Sequence, residues 1–283
     1  MEKIAITGAS GFVGQSLTTM FQDMGYEVIG IKRSDLSDSG KLTNIIDGSK
    51  LVINLAGANI INRWSESYKK LLYSSRIDTT KAIVKAMENS KVKPELFIST
   101  SAVGIYKNDK VYDENTTNLH DDFLANLCKD WEAEALKAKT LGVRTAIFRF
   151  GIVMGHGGAL EKMLTPFKLG VGGIIGDGKQ AFSFIHLGDL LRAYTFLIEN
   201  KNLDGVFNLT SPNPTTNYGL TKALGNFLNR PTFLPLPAFV LNLIFSEGAK
   251  VLTDGQSVVP KHLIDSGFKF EFENIEDTIE NLV

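Results

Sequence analysis

Three glycines stand at the head of the chain, in the run Thr7-Gly8-Ala9-Ser10-Gly11-Phe12-Val13-Gly14. They follow the apolar residues Ile4-Ala5-Ile6 and open a pattern in which Val13, Leu17, Met20, Phe21 and Met24 recur at helical spacing. A strand, a glycine turn and a helix in that order form the setting in which such glycines hold the pyrophosphate of a dinucleotide. Gly8 is expected to allow the tight turn, Gly11 to let the backbone approach the diphosphate, and Gly14 to bring the helix close to the strand. Ser10, Phe12 and Val13 share the turn and join the candidate contacts. There the helix would aim its unpaired N–H groups and positive dipole end at the anion.

Which dinucleotide binds is read about 20 positions later, where the second strand closes beside the adenosine ribose. The strand Glu27–Ile31 runs into Lys32-Arg33-Ser34. Two cations suit a 2′-phosphate, with Arg33 able to meet it bidentately, so NADP is favoured over NAD. The other reading is a solvated basic pair, with Asp35 turning back toward a free ribose hydroxyl. Leu55, Ala56 and Gly57 end the next strand at the carboxyl edge, where small residues let a cofactor pass over the backbone. Ser99, closing the strand Leu96–Ser99, joins the cofactor set. So do Phe150, Gly151 and Ile152, which leave the strand from Arg144 and should run beside the nicotinamide carboxamide. An ordinary strand exit is the other reading there. His186 sits in an apolar run, where a histidine is more often hydrogen-bonded within the fold than catalytic. Cys128 reads as a small apolar helix residue, and no His, Cys, Asp or Glu spacing suggests a metal site.

The elements needed to position these groups alternate along the first half of the chain, as in a parallel sheet covered by helices. A helix is expected over 75–87, another over 122–139 closed by Gly142, and another over 189–199 before a last strand at 206–209. The tail from Asn217 reads as mainly helical. The stretch 170–178, rich in glycine, reads as a surface loop between domains, and the apolar run 234–245 as the entry to a buried helix. The expected fold class is α/β: a Rossmann-type doubly wound parallel sheet with a smaller, mostly helical C-terminal domain. Residues 1–165, with 182–210 returning to the sheet, would bind NADP. Residues 166–181 and 211–283 would form the substrate part. With 283 residues, 30 Lys and Arg against 31 Asp and Glu, and a net charge of −1, no field favours nucleic acid or an anionic membrane. The single cysteine fits a reducing compartment. Met1-Glu2-Lys3 runs straight into the first strand, so no secretion signal is expected and the cytoplasm is the expected location.

With the glycine turn, Asn54-Leu55-Ala56-Gly57, Ser99-Thr100-Ser101-Ala102-Val103-Gly104 and Phe184-Ile185-His186-Leu187-Gly188-Asp189-Leu190, the chain resembles the extended short-chain dehydrogenase/reductases. These are also called the NAD-dependent epimerase/dehydratase family. Finer matches at Ala58–Trp64, Ser75-Arg76-Ile77, Asp122–Ala125, Trp131-Glu132, Asn213-Pro214 and Gly255-Gln256 resemble its atypical sugar-nucleotide-epimerase-like subgroup. The resemblance implies hydride chemistry on a small polar or sugar-nucleotide substrate, and pairing of subunits as a homodimer through the long helices. It implies Ser101 as the catalytic serine, unless that hydroxyl only satisfies the strand end. It also keeps Arg76 as a candidate substrate ligand beside a plain helix-surface role. The loop after Gly57 carries Asn59, Arg63 and Trp64. Arginine suits a phosphate or carboxylate and tryptophan offers a flat face to a sugar or base, or the loop is a simple lid.

The superfamily's Tyr and Lys, four residues apart on one helix, are missing. Leu124 and Cys128 align with the two positions, and Lys129 is about 100° round the helix from the second. Tyr106/Lys110 and Tyr218/Lys222 have the spacing but lie off that helix. The residues therefore leave two functions open: an NADP(H)-binding oxidoreductase or epimerase-like enzyme, and a non-catalytic nucleotide-binding sensor or regulatory protein.

Overall fold

A computed structural model describes residues 1–283. Six strands form the central sheet: β1 (Lys3–Thr7), β2 (Glu27–Ile31), β3 (Ser49–Asn54), β4 (Leu96–Ala102), β5 (Arg144–Phe150) and β6 (Gly205–Leu209). All pair in parallel, in the order β6-β5-β4-β3-β1-β2. From β1 the chain first moves out to β2, then crosses back to place β3 on the other side. Winding therefore reverses between β1 and β3, and open sheets of this kind leave a crevice at the carboxyl ends beside such a reversal.

Successive residues of β1 serve opposite faces. Ile4 and Ile6 join Leu17, Phe21, Phe148 and Tyr194 in one core, while Ala5 joins Val52, Ile83, Met87, Phe97 and Ile147 in the other. Burial on both faces explains why these strands read as unbroken apolar runs. The covering helices are α1 (Phe12–Asp23), α2 (Ser39–Ile46), α3 (Glu66–Asn89), α4 (Phe123–Leu136) and, on the first face, α6 (Leu187–Glu199). Between the last two lies α5 (Gly158–Lys168), which packs with α7 (Asn217–Leu228) and α9 (Ile275–Leu282) around Leu160, Phe184, Leu224 and Ile279. The remaining long helix of the tail is α8 (Ala238–Phe245). No helix is long and apolar enough to cross a membrane.

Several elements differ from the sequence reading. The helix expected to start at Ser75 begins at Glu66, because the Ser65 side chain caps it by accepting from the Tyr68 amide. β3 stops at Asn54, so Leu55–Gly57 are the loop beyond the sheet. β2 stops at Ile31 as expected, but Arg33–Leu36 then make one helical turn, held by the Lys32 amide donating to Asp35 at 2.8 Å. The run 234–245 is not a buried entry: Phe239 is 64% and Leu243 71% exposed, and only Leu241 of α8 is buried. The 170–178 loop is tied down, since Gly176 N–H donates to the Leu236 carbonyl and Leu236 N–H to that of Ile174.

The glycine turn is a close fit. Gly8 has φ +69°, and a Cβ there would lie 3.1 Å from the Leu55 carbonyl. At Gly14 a Cβ would lie 2.1 Å from the Gly8 carbonyl oxygen, a backbone atom that cannot swing aside. Gly14→Ala is therefore expected to destabilise the protein by about 1–3 kcal/mol through overpacking. Urea denaturation of the purified variant measures this.

Candidate functional site

The turn presents an open helix end. Gly11 N–H donates to the Gly8 carbonyl at 2.9 Å and closes the turn. α1 then starts at Phe12, with no side-chain cap and no acidic residue in its first turn. The amides of Phe12, Val13 and Gly14 thus have no side-chain acceptor, and the positive end of the helix is unopposed. Thr7 fixes the neighbouring loop: its hydroxyl donates to Asn54 Oδ1 at 2.7 Å and accepts from the amides of Leu55 and Ala56 at 3.2 and 3.3 Å.

Lys32, Arg33 and Ser34 are exposed just beyond β2, and neither cation has an acidic partner. Asp35, the alternative ribose ligand, is buried and pairs with Lys41 at 2.6 Å. The Lys41 side chain and the Lys32 amide hold its carboxyl below the usual carboxylate range. It is not free to meet a ribose.

A cleft of about 940 Å³ runs from this turn toward the C-terminal segments. Of the expected cofactor residues, Phe12, Val13, Leu55, Gly57, Phe150, Gly151 and Ile152 line it, and so do Ser101, Asn59 and Arg76. Ser99 does not: it is sealed beneath the cleft, with its hydroxyl accepting from Asn54 Nδ2. Trp64 and Arg63 are also corrected. Trp64 is 5% exposed, donates from its indole to the Ile60 carbonyl at 3.0 Å and packs edge-on against Phe123. So large an apolar surface stabilises more when covered by Leu72, Leu127 and Trp131 than when left for a ligand. Arg63 donates to the Leu243 carbonyl at 2.7 Å, off the cleft wall.

Ser101 heads a buried polar chain. Its hydroxyl donates to Glu132 Oε1 at 2.7 Å, and Arg149 grips Glu132 bidentately through Nε and Nη2, both at 2.7 Å. Arg149 Nη1 donates to the Tyr106 hydroxyl at 2.7 Å, which donates to Asn208 Oδ1 at 3.0 Å. Burial works against the Arg149 charge, but hydrogen bonds and attraction to Glu132 outweigh it and hold its pKa above the usual arginine value. Ser101 and Arg149 are register partners on β4 and β5, and α4 lays Glu132 over both. The sequence does not show that Glu132, Arg149 and Tyr106 join Ser101 in one network. One signal was present: an arginine inside the apolar strand Thr145–Phe150 demands a buried acid.

On α4, Leu124 and Cys128, at the positions aligned with the superfamily's tyrosine and lysine, face the cleft. Burial first, then the Glu132 charge, pushes the Cys128 thiol up to about 11, so it is uncharged at neutral pH. Tyr106 is fully buried rather than in an open loop, while Lys110 lies over the ring of Tyr112 instead. Tyr218 and Lys222 contact each other outside the cleft. His186 caps α6, its Nδ1 accepting from the Gly188 amide at 3.0 Å, and burial pushes its pKa down. The structural reading of that histidine holds.

Fold and cleft together define a nucleotide-binding α/β protein, and a family model agrees. The chain belongs to the NAD dependent epimerase/dehydratase family, whose model matches residues 4–210. A second model, a domain of unknown function (DUF1731), matches residues 236–282. The chain is similar to epimerase family protein SDR39U1 of Mus musculus, at 36% identity over 99% of each chain. It is also similar to epimerase family protein YfhF of Bacillus subtilis, at 34% identity over 99% of this chain and 97% of that one. Among solved structures, human SDR39U1 (isoform 2) with NADPH matches with a TM-score of 0.91 and 32% identity, covering 99% of this chain and 98% of that one.

Two outcomes are expected from this geometry. Glu132→Ala leaves Arg149 buried without its acid and should cost about 3–5 kcal/mol in chemical denaturation. Replacing Glu132 and Arg149 together with methionine should recover much of that loss. Alkylation of Cys128 at pH 8 should run on the order of 100-fold slower than for an unperturbed thiol, because the thiolate is the nucleophile. The rate should climb toward pH 11, as followed by mass spectrometry.

Proposed function

We propose that this chain is an NADP(H)-dependent oxidoreductase or epimerase-like enzyme whose chemical step is hydride transfer. The observation that carries the reading is the open N-terminus of α1 over a glycine turn too tight for any Cβ, placed where the sheet reverses. The amides of Phe12, Val13 and Gly14 would hold the diphosphate. Lys32 and Arg33, free of acids, would hold a 2′-phosphate, which favours NADP over NAD. The NADPH bound to the human relative supports the same choice. Bound nicotinamide would supply the hydride donor or acceptor. Phe150, Gly151 and Ile152 would flank its carboxamide, and Ser101 would meet the reacting oxygen, oriented by Glu132. We assign the cofactor part to residues 1–165 and 182–210, and the substrate part to 166–181 and 211–283.

A second reading, a nucleotide-binding protein without turnover, is favoured by Leu124 and Cys128. They leave α4 with no group that titrates near neutrality facing the cleft. Calorimetric titration decides the cofactor: NADPH is expected to bind more tightly than NADH, and Arg33→Ala to weaken NADPH about tenfold without moving NADH. Tighter NADH, or an equal loss for both, contradicts the assignment. NADPH oxidation across a panel of carbonyl compounds and sugar nucleotides then separates the two readings. Turnover that falls in Ser101→Ala supports the enzyme, and none with any compound supports the binding protein.

A further inference from the structure

The cleft wall beyond the nicotinamide end is built largely from hydrocarbon. Met163 and Phe167 of α5, Leu220 and Leu224 of α7, Leu236 and Val251 line it. Two of the polar side chains there are committed to backbone. Gln180 Nε2 donates to the carbonyls of Ile175 and Leu252 at 3.1 and 3.4 Å, and Asn217 Oδ1 accepts from the Ile175 amide at 2.8 Å. Val171 and Leu234, 57% and 46% exposed, carry the apolar surface out to the mouth. The lysine on this wall, Lys250, is exposed. A diphosphate lying along such a wall would find no buried cation, so a sugar nucleotide fits it poorly.

The cleft nevertheless holds, besides the exposed Lys250, a half-buried cation without an acid. Arg76 of α3 lies across the ring of Trp131 at 5.3 Å, beside Gly57, and donates to the carbonyls of Leu72 and Ala58 at 3.1 and 3.0 Å. No aspartate or glutamate pairs with it, and its remaining contact is from Nη1 to the Ser75 hydroxyl at 3.5 Å. Arg76 is half-buried, and desolvation pulls its pKa below the ordinary arginine value. A charge in that state is costly unless a ligand supplies the anion.

We propose that the cleft binds an amphiphile, its carboxylate or other compact anionic head on Arg76 and an extended hydrocarbon body along the α5 and α7 wall. This deepens the hydride-transfer reading, on which only the placement of the head beside the nicotinamide rests. The volume suits the ligand: drug-sized sites span roughly 300–1,000 Å³, and this cleft spans about 940 Å³ for cofactor end and substrate together.

The test is calorimetric titration of the full chain, saturated with NADPH, with decanoate, butanoate, decan-1-ol and UDP-glucose. One decanoate per chain is expected, at least about tenfold tighter than butanoate or decan-1-ol, since each buried methylene and the charged head both contribute. Arg76→Gln should bring decanoate down to the level of decan-1-ol, and Arg76→Lys should keep a preference for the acid. Met163→Glu should remove the dependence on chain length. Parallel NADPH titrations report that each variant is folded. The inference is overturned if decanoate binds no better than butanoate, or if UDP-glucose binds more tightly than decanoate. It is equally overturned if Arg76→Gln and Met163→Glu both leave decanoate unchanged, which puts the acid on the outer surface. Absence of NADPH binding would sink the hydride-transfer reading instead, so the two failures are distinguishable.

Discussion

The arrangement of this protein depends on a distance that only glycine tolerates. α1 can leave β1 and lie against the turn because nothing larger than hydrogen stands between Gly14 and the Gly8 carbonyl. Gly8 in turn lets β3 and its Leu55 loop approach. Thr7 then ties both strand ends together through Asn54 and the Leu55 and Ala56 amides. The result is a rigid shelf from which the first amides of α1 emerge without side-chain acceptors. Sterics come first here, and the open helix end is their consequence.

The second organising contact is the Glu132–Arg149 pair. A buried ion pair adds little net stability, but removing one partner is severe because the other charge is stranded. This pair joins α4 to β5 and sets the direction of the Ser101 hydroxyl. Tyr106 and Asn208 extend the chain to β6. A separate hub forms on the other side of α4, where Trp131 Nε1 and Asn54 Nδ2 both donate to the Thr80 hydroxyl. The floor of the cleft is thus largely polar and hydrogen-bonded, with the Thr100 hydroxyl left without a partner, while its outer wall is apolar. Arg76 stands between these regimes.

The glycine turn and the order of strands and helices were legible because each rests on neighbours close in sequence. The Lys32-Arg33 pair, proposed as the 2′-phosphate contact, is local in the same way, although the chain turns helical at Arg33. What escaped was assembled across distance. Ser101 meets Glu132 from 31 residues away and Tyr106 meets Asn208 from 102 away, once α4 and β6 are in place. Arg63 and Trp64 look like ligand residues by type, but tertiary packing claims them: one binds a carbonyl 180 residues off and the other fills a core. Ser99 is not the strand end, because β4 runs on to Ala102; it shares a face with Ser101, two residues on, but lies deeper, under Asn54, while Ser101 reaches the cleft. Hydrophobicity alone misjudged α8, because an apolar run does not reveal which of its faces finds a partner.

The central claim, that bare amides at the start of α1 hold a diphosphate, is tested most directly by site-resolved backbone hydrogen exchange with and without saturating NADPH. The account predicts slowed exchange at Phe12, Val13 and Gly14 and in the Leu55–Gly57 loop. Exchange at those amides that NADPH leaves unchanged, while other segments become protected, would contradict it.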